Sequence, residues 1–168
     1  MSASYELAQL NIGIVKGPMD SPVMADFVAN LDRINALAEG SPGFVWRLKT
    51  DDGDATAIRP FEDENMLVNM SVWRDVESLN QYVYKSAHVE IMRKRKQWFE
   101  RMSEAYMVLW WVPKGQRPSV AEAIARLEIL RANGPGPQAF TFRQAFAPPD
   151  VAQRVEPAAN FDSECPAT

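Results

Sequence analysis

The stretch Ser86–Met102, SAHVEIMRKRKQWFERM, decides how this chain reads. Wound at 100° per residue, it gathers Ile91, Met92, Trp98, Phe99 and Met102 into one apolar stripe around His88. Glu90, Arg93, Lys94, Gln97, Glu100 and Arg101 take the opposite side. His88 and Arg95 break the rule, because both fall near the centre of the stripe, about two turns apart. An imidazole and a guanidinium there cost free energy unless each finds a partner, so this face is the first candidate for a site. The bland alternative is a pair of structural groups, heads bonded to backbone and stems packed. Ser86 suits an N-cap, which puts His88 in the first helical turn, where the positive end of the helix dipole favours the neutral ring. A neutral imidazole can be a base, a hydrogen-bond donor or a metal ligand.

Outward from that helix, the pattern alternates between strands and helices. Met66–Trp73 alternates as a strand, with Met66, Val68, Met70 and Val72 on one face and Leu67, Asn69, Ser71 and Trp73 on the other. Tyr5–Val15 does the same, with Ala8, Leu10, Ile12 and Ile14 opposite Leu7, Gln9, Asn11 and Gly13. Each strand thus has a fully apolar face and a face bearing amides or hydroxyls. Val23–Glu39 carries a helical stripe of Met24, Phe27, Val28, Leu31, Ile34 and Ala38, into which Asn35 also falls, and Gly40–Gly43 ends it. Phe44–Lys49 reads as a short strand, with Asp51–Asp54 as a hairpin turn and Ala55–Phe61 as the returning arm. Those aspartates lack the later glutamate of a calcium loop. Asp75 caps a helix over Val76–Tyr84, and Tyr106–Val112 is a buried strand. Ser119–Ala132 is a further amphipathic helix, stopped at Asn133 and Gly134, and Phe140–Phe146 adds an extended segment.

The order β-α-β-β-α-β predicts an α+β, ferredoxin-like sandwich over residues 1–146 with an extra C-terminal helix. The proline-rich residues 147–168 read as a flexible tail. With helices on one sheet face, the other face predicts a second subunit packed sheet to sheet.

Composition narrows the function classes. The chain has 168 residues, 46% of them hydrophobic and 24% charged, which fits one globular domain. A net charge of −4 argues against general nucleic-acid binding, and the basic run Arg93–Lys96 winds around the helix rather than forming a stripe. The single Cys165 excludes a disulfide framework. No leader pattern and no bilayer-length apolar run stand in the sequence, so a cytoplasmic protein is expected.

The strand ending Ser71-Val72-Trp73, the helix with Leu79 and Tyr82, and Ser86-Ala87-His88 resemble the dimeric α/β-barrel superfamily that includes the antibiotic-biosynthesis monooxygenases. More narrowly, LAQLNIG, NLDRINALAE, SPGFVWRL and VYKSAHVEIMRKRKQWFE followed by LWWVP resemble a bacterial family of unassigned function within it. The resemblance implies a homodimer forming a dimeric α/β barrel, with a pocket in each subunit between helices and sheet. It implies chemistries such as cofactor-independent oxygenation of phenolic polycyclic substrates, haem degradation, and isomerisation or decarbonylation of small rings. Asn11 is placed like the first-strand asparagine of haem-degrading members. Their haem-ligating position, however, is Arg93 here, which weakens that reading and leaves haem on His88 as an alternative.

The expected function is therefore a small-molecule enzyme acting on an aromatic or polyketide-like substrate. His88 is the expected base, and Arg95 a fixed charge for a phenolate, carboxylate or peroxide. Asn11, Asn35 and Asn69 are amide donors able to orient a carbonyl, and Trp73 and Tyr84 could stack on a ring. No cofactor is favoured, and no dinucleotide or phosphate loop is present. A non-catalytic, ligand-binding or accessory dimer is the third reading.

Overall fold

The computed structural model describes residues 4–49, 65–86 and 88–149. Four strands, β1 (Tyr5–Ile14), β2 (Phe44–Arg47), β3 (Met66–Trp73) and β4 (Met107–Pro113), form one sheet in the order β2-β3-β1-β4. Every neighbouring pair is antiparallel. Helix α1 (Ala25–Glu39) joins β1 to β2, while α2 (Val76–Lys85) and α3 (His88–Trp98) join β3 to β4. This is the α+β ferredoxin-like architecture that the order of elements predicts. Helix α4 (Val120–Asn133) follows. The expected Asp51–Asp54 turn, the Ala55–Phe61 arm and nearly all of the tail lie outside the described residues.

Local chemistry sets the boundaries. Asp75 Oδ1 accepts the Ser78 backbone N–H at 2.8 Å and the Ser78 hydroxyl at 2.7 Å, capping α2. Ser119 Oγ accepts the Glu122 N–H at 3.1 Å, capping α4. Gly43, at φ +83°, turns the chain from α1 into β2, and a Cβ there would stand 2.2 Å from Ser78 Oγ.

The register follows from alternation. Asn11 faces Asn69, Gln9 faces Ser71 and Leu7 faces Trp73 across β1 and β3. On the apolar face, Ala8, Leu10, Ile12, Val68, Met70, Val72, Val108, Trp110 and Val112 pack under Ala123, Leu127 and Leu130 of α4. The expectation of an open sheet face is corrected here: this face is covered by the chain's own C-terminal helix, with Ala8, Leu10, Val72 and Trp110 fully buried. The expected dimer therefore draws no support from an uncovered sheet. Helices α1, α2 and α3 lie over the opposite, amide-bearing face.

A second correction concerns the end of α3, which stops at Trp98 rather than continuing to Met102. The Glu100 N–H donates to the Ile14 carbonyl at 2.7 Å and the Lys16 N–H to the Trp98 carbonyl at 2.8 Å, so the end of β1 and its continuation capture the backbone. Phe99 then bridges Val15, and Met102 packs with the cluster beneath α4. Phe140, fully buried, exchanges both backbone bonds with Leu109 at 2.8 Å and lays the C-terminal segment along β4.

Candidate functional site

Between the amide-bearing sheet face and α1–α3 lies a cavity of about 440 Å³. It is in the size range of small-molecule sites. His88, Arg95, Asn11, Asn35, Asn69, Trp73 and Tyr84 all contribute to its wall, so every residue singled out from the sequence is brought to one place. Gln9, Ser71, Tyr82 and Tyr106 line it too and were not singled out as site residues.

The floor is a flat polar lattice. Gln9, only 3% exposed, donates from Nε2 to Asn69 Oδ1 at 2.7 Å and to Ser71 Oγ at 2.8 Å. Asn11 Nδ2 donates to Gln9 Oε1 at 3.1 Å and to Asn69 Oδ1 at 3.2 Å. Trp73 Nε1 donates to Ser71 Oγ at 2.8 Å. Gln9 and Ser71 are thus spent holding the lattice together. Among the described residues, the Asn69 amide nitrogen, the Asn11 amide oxygen and the whole Asn35 amide have no protein partner. Their hydrogen-bonding capacity is unused within the described protein.

One end of the cavity is built around His88. Its backbone N–H donates to Ser86 Oγ at 3.1 Å, as the expected N-cap would accept it, and Ser86 also ends α2. The ring Nδ1 lies 3.4 Å from the Val83 carbonyl, which can only accept, so Nδ1 carries the proton and the Nε2 lone pair is left free. Burial lowers the pKa below the ordinary 6.5, with the Val83 bond acting in the other direction. The Tyr82 ring sits 4.8 Å from the imidazole and stacks at 5.0 Å on buried Trp73. Trp73 is therefore a fixed aromatic wall. Tyr82 donates to the Ile34 carbonyl at 3.3 Å, and burial pushes its phenol well above the ordinary range.

The other end is built around Arg95. Its Nη2 donates to the Ile12 carbonyl at 3.0 Å. The guanidinium carbon lies 4.8 Å from the Phe99 ring centroid and 4.6 Å from that of Tyr106. Burial lowers its pKa from the usual guanidinium range, opposed by the neighbouring Tyr106. Among the described residues it has no carboxylate partner, whereas Arg47, on the same cavity wall, is held by Glu39 at 2.8 Å. Gly13 makes room for this end, since a Cβ there would stand 2.5 Å from Phe99 Cδ1. Tyr84, half exposed, meets Phe142 edge-on at 5.6 Å, so it borders the opening rather than the interior.

Alternation along β1 and β3 already puts Gln9 and Ser71 on the floor, and that signal could have found them. Tyr106 carries none, because it precedes β4 and meets Arg95 only through the tertiary fold.

Fold and site together define a ferredoxin-like α+β domain with a cavity of small-molecule size. A family model described as a domain of unknown function (DUF3291) matches residues 6–156, and the chain belongs to that family. No curated protein matches the sequence. Among solved structures, the chain is similar to SnoaB, a cofactor-independent oxygenase from Streptomyces nogalater, at 18% identity and a TM-score of 0.46, covering 68% of this chain and 96% of that one. It is similar to NE2512, a protein of unknown function from Nitrosomonas europaea, at 14% identity and a TM-score of 0.42, covering 69% and 95%. It is also similar to PA3566 from Pseudomonas aeruginosa, at 11% identity and a TM-score of 0.41, covering 69% and 99%. Likenesses this distant carry nothing about chemistry. Among the described residues, no group of three His, Cys, Asp or Glu side chains could hold a metal ion, and no helix is long and apolar enough to cross a membrane.

Proposed function

We propose that the chain is a small-molecule enzyme of the monooxygenase-like kind, which ionises a hydroxyl or enol on an aromatic, polyketide-like substrate. The observation that carries this reading is the placement of His88: its Nδ1 lies 3.4 Å from the Val83 carbonyl, which favours the tautomer with a free Nε2, and the residue lines an aromatic cavity. A base with its pKa lowered by burial stays unprotonated at neutral pH and takes the hydroxyl proton. The Asn69 amide nitrogen and the Asn35 amide supply donors for the oxygen that becomes negative. The electron-rich ring can then react with O2 directly. One oxygen atom enters the ring carbon as a quinone carbonyl and the other leaves as water, so that phenol and O2 give quinone and water with atoms and electrons balanced.

The dimeric α/β-barrel superfamily and a homodimer belong to this reading. No observation favours the haem alternative. The free Nε2 would serve either use, and Arg93, at the position where the resemblance puts a haem ligand, is exposed on the outer face. The test is oxygen uptake with hydroxynaphthalenes and anthrones, for wild type and His88→Gln, with far-UV circular dichroism as the folding control. Quinone formed in step with oxygen, and uptake at least about a hundredfold slower in the variant, is the expected result. A folded His88→Gln that consumes oxygen as fast as wild type removes the proposal, as does a wild type inert to the whole panel.

A further inference from the structure

His88 and Arg95, two of the ionisable residues on the cavity wall, are anchored to different elements. His88 is tied to Val83 and Tyr82 of α2, and Tyr82 stacks on Trp73, which pairs with Leu7 near the start of β1. Arg95 is tied to Ile12, near the far end of β1, and lies between Phe99 and Tyr106. Leu7 and Ile12 are about 17 Å apart along a strand, and His88 and Arg95 are about 10 Å apart along α3. An oxyanion made at His88 Nε2 is therefore not the charge that Arg95 holds. Among the described residues this half-buried guanidinium has no carboxylate partner, since Glu104 on the cavity wall pairs with Arg131 at 3.5 Å, and its remaining N–H groups suit a planar acceptor.

We infer that Arg95 binds a carboxylate that the substrate brings with it, so that the substrate is an aromatic hydroxy acid with its acid and its ionising hydroxyl at opposite ends. The inference rests on reading the cavity as a substrate site, and it adds the substrate's second functional group. A planar carboxylate pairs with the N–H groups of Arg95 that the Ile12 carbonyl leaves over, and neutralises one positive charge. A phosphate dianion would leave a second negative charge in a mostly apolar cavity, which is costly. Arg47 offers no compensation, because Glu39 already neutralises it. Between the two ends the substrate body crosses the amide floor, where Asn69 and Asn11 can pair with a ring carbonyl or hydroxyl.

The experiment compares 6-hydroxy-2-naphthoate with its methyl ester, which has the same ring and hydroxyl but no charge. Binding of each is followed by the probe's own fluorescence at pH 7.5. Wild type is expected to bind the acid at least tenfold more tightly than the ester. Arg95→Met should lose that preference while its ester affinity stays within about twofold, and Arg95→Lys should keep a reduced preference. His88→Gln should keep the full preference, which separates this inference from the proposed chemistry. A preference that survives in a folded Arg95→Met overturns the inference. So does a wild type that prefers the ester, treats the two alike or binds neither. If the acid is preferred through Arg95 while oxygen uptake ignores His88, the proposed reaction fails and the carboxylate site stands.

Discussion

Replacing Arg95 with methionine distinguishes a guanidinium kept for a ligand from one kept for the fold. The substitution removes the 3.0 Å bond to the Ile12 carbonyl and two ring contacts at 4.8 and 4.6 Å. A hydrogen bond from a charged group is worth about 1.5–3 kcal/mol, and each cation–π contact about 0.5–1 kcal/mol. The loss is then roughly 2.5–5 kcal/mol. Against it stands the relief of a half-buried charge that has no carboxylate partner among the described residues, up to several kcal/mol for an ion out of water. The methionine stem replaces the arginine stem, and its sulfur against Phe99 and Tyr106 returns about 0.3–1.5 kcal/mol. The two sides nearly cancel, and Arg95→Met is expected within about 1 kcal/mol of wild type. Urea unfolding followed by tryptophan fluorescence measures this, with an unchanged m-value as the check on two-state behaviour. A structural arginine predicts a different outcome, a loss above about 2 kcal/mol and a Tm lower by roughly 4–8 °C. That result would refute the claim that the charge is uncompensated in the free protein.

Three further outcomes follow from the geometry. Because burial lowers the folded-state pKa of His88 below 6.5, the unfolded chain binds more protons between the two values. The stability tied to the neutral ring is therefore complete above 6.5 and is lost as pH falls through the folded pKa; Tm from pH 8 to pH 5 should fall more steeply in wild type than in His88→Gln, and equal slopes would deny His88 the role. Ser71→Ala removes the acceptor of buried Trp73 Nε1 and one of two acceptors of Gln9 Nε2 among the described residues, costing about 1–3 kcal/mol, read as a lower urea midpoint. In Gly13→Ala the new methyl drives into Phe99, which is wedged edge-on against Phe27 at 5.3 Å. Overpacking of about 1–3 kcal/mol is expected, and an unchanged Tm would show that the ring moves freely.

The periods of β1, β3, α2 and α4 were legible because each of these elements has one strongly apolar face and a cap or turn at its end. Asp75 and Ser119 do what their positions promise. His88, Arg95 and Asn35 stood out as polar residues inside apolar stripes, a signal that survives folding because the helices bring those stripes to the sheet. Periodicity cannot say which sheet face a helix covers. Both faces of β1 are buried, so burial along the strand does not tell the cavity floor from the face under α4. The end of α3 was hidden for a related reason: the stripe runs on through Phe99 and Met102, while the backbone groups that stop the helix belong to β1 and its continuation.

The cavity itself follows from that choice of face. Had α1–α3 packed on the apolar face, their stripes would have closed on Leu10, Ile12, Val68 and Met70 and left no room. Over the amide face the closure is blocked from both sides. Gln9, Asn11, Asn69 and Ser71 bond sideways within the sheet and still leave amide atoms pointing upward. Asn35 and Arg95 point down from the helices with polar groups of their own. Collapsing the space would bury those groups without partners, at about 1–3 kcal/mol each and more for the charge. The apolar face, meanwhile, is closed by α4, which explains why the fold needs a fourth helix once the first three cover the amides. A ligand that satisfies the floor in the middle, meets a base at one end and supplies a negative charge at the other is what such a space can hold at lowest cost.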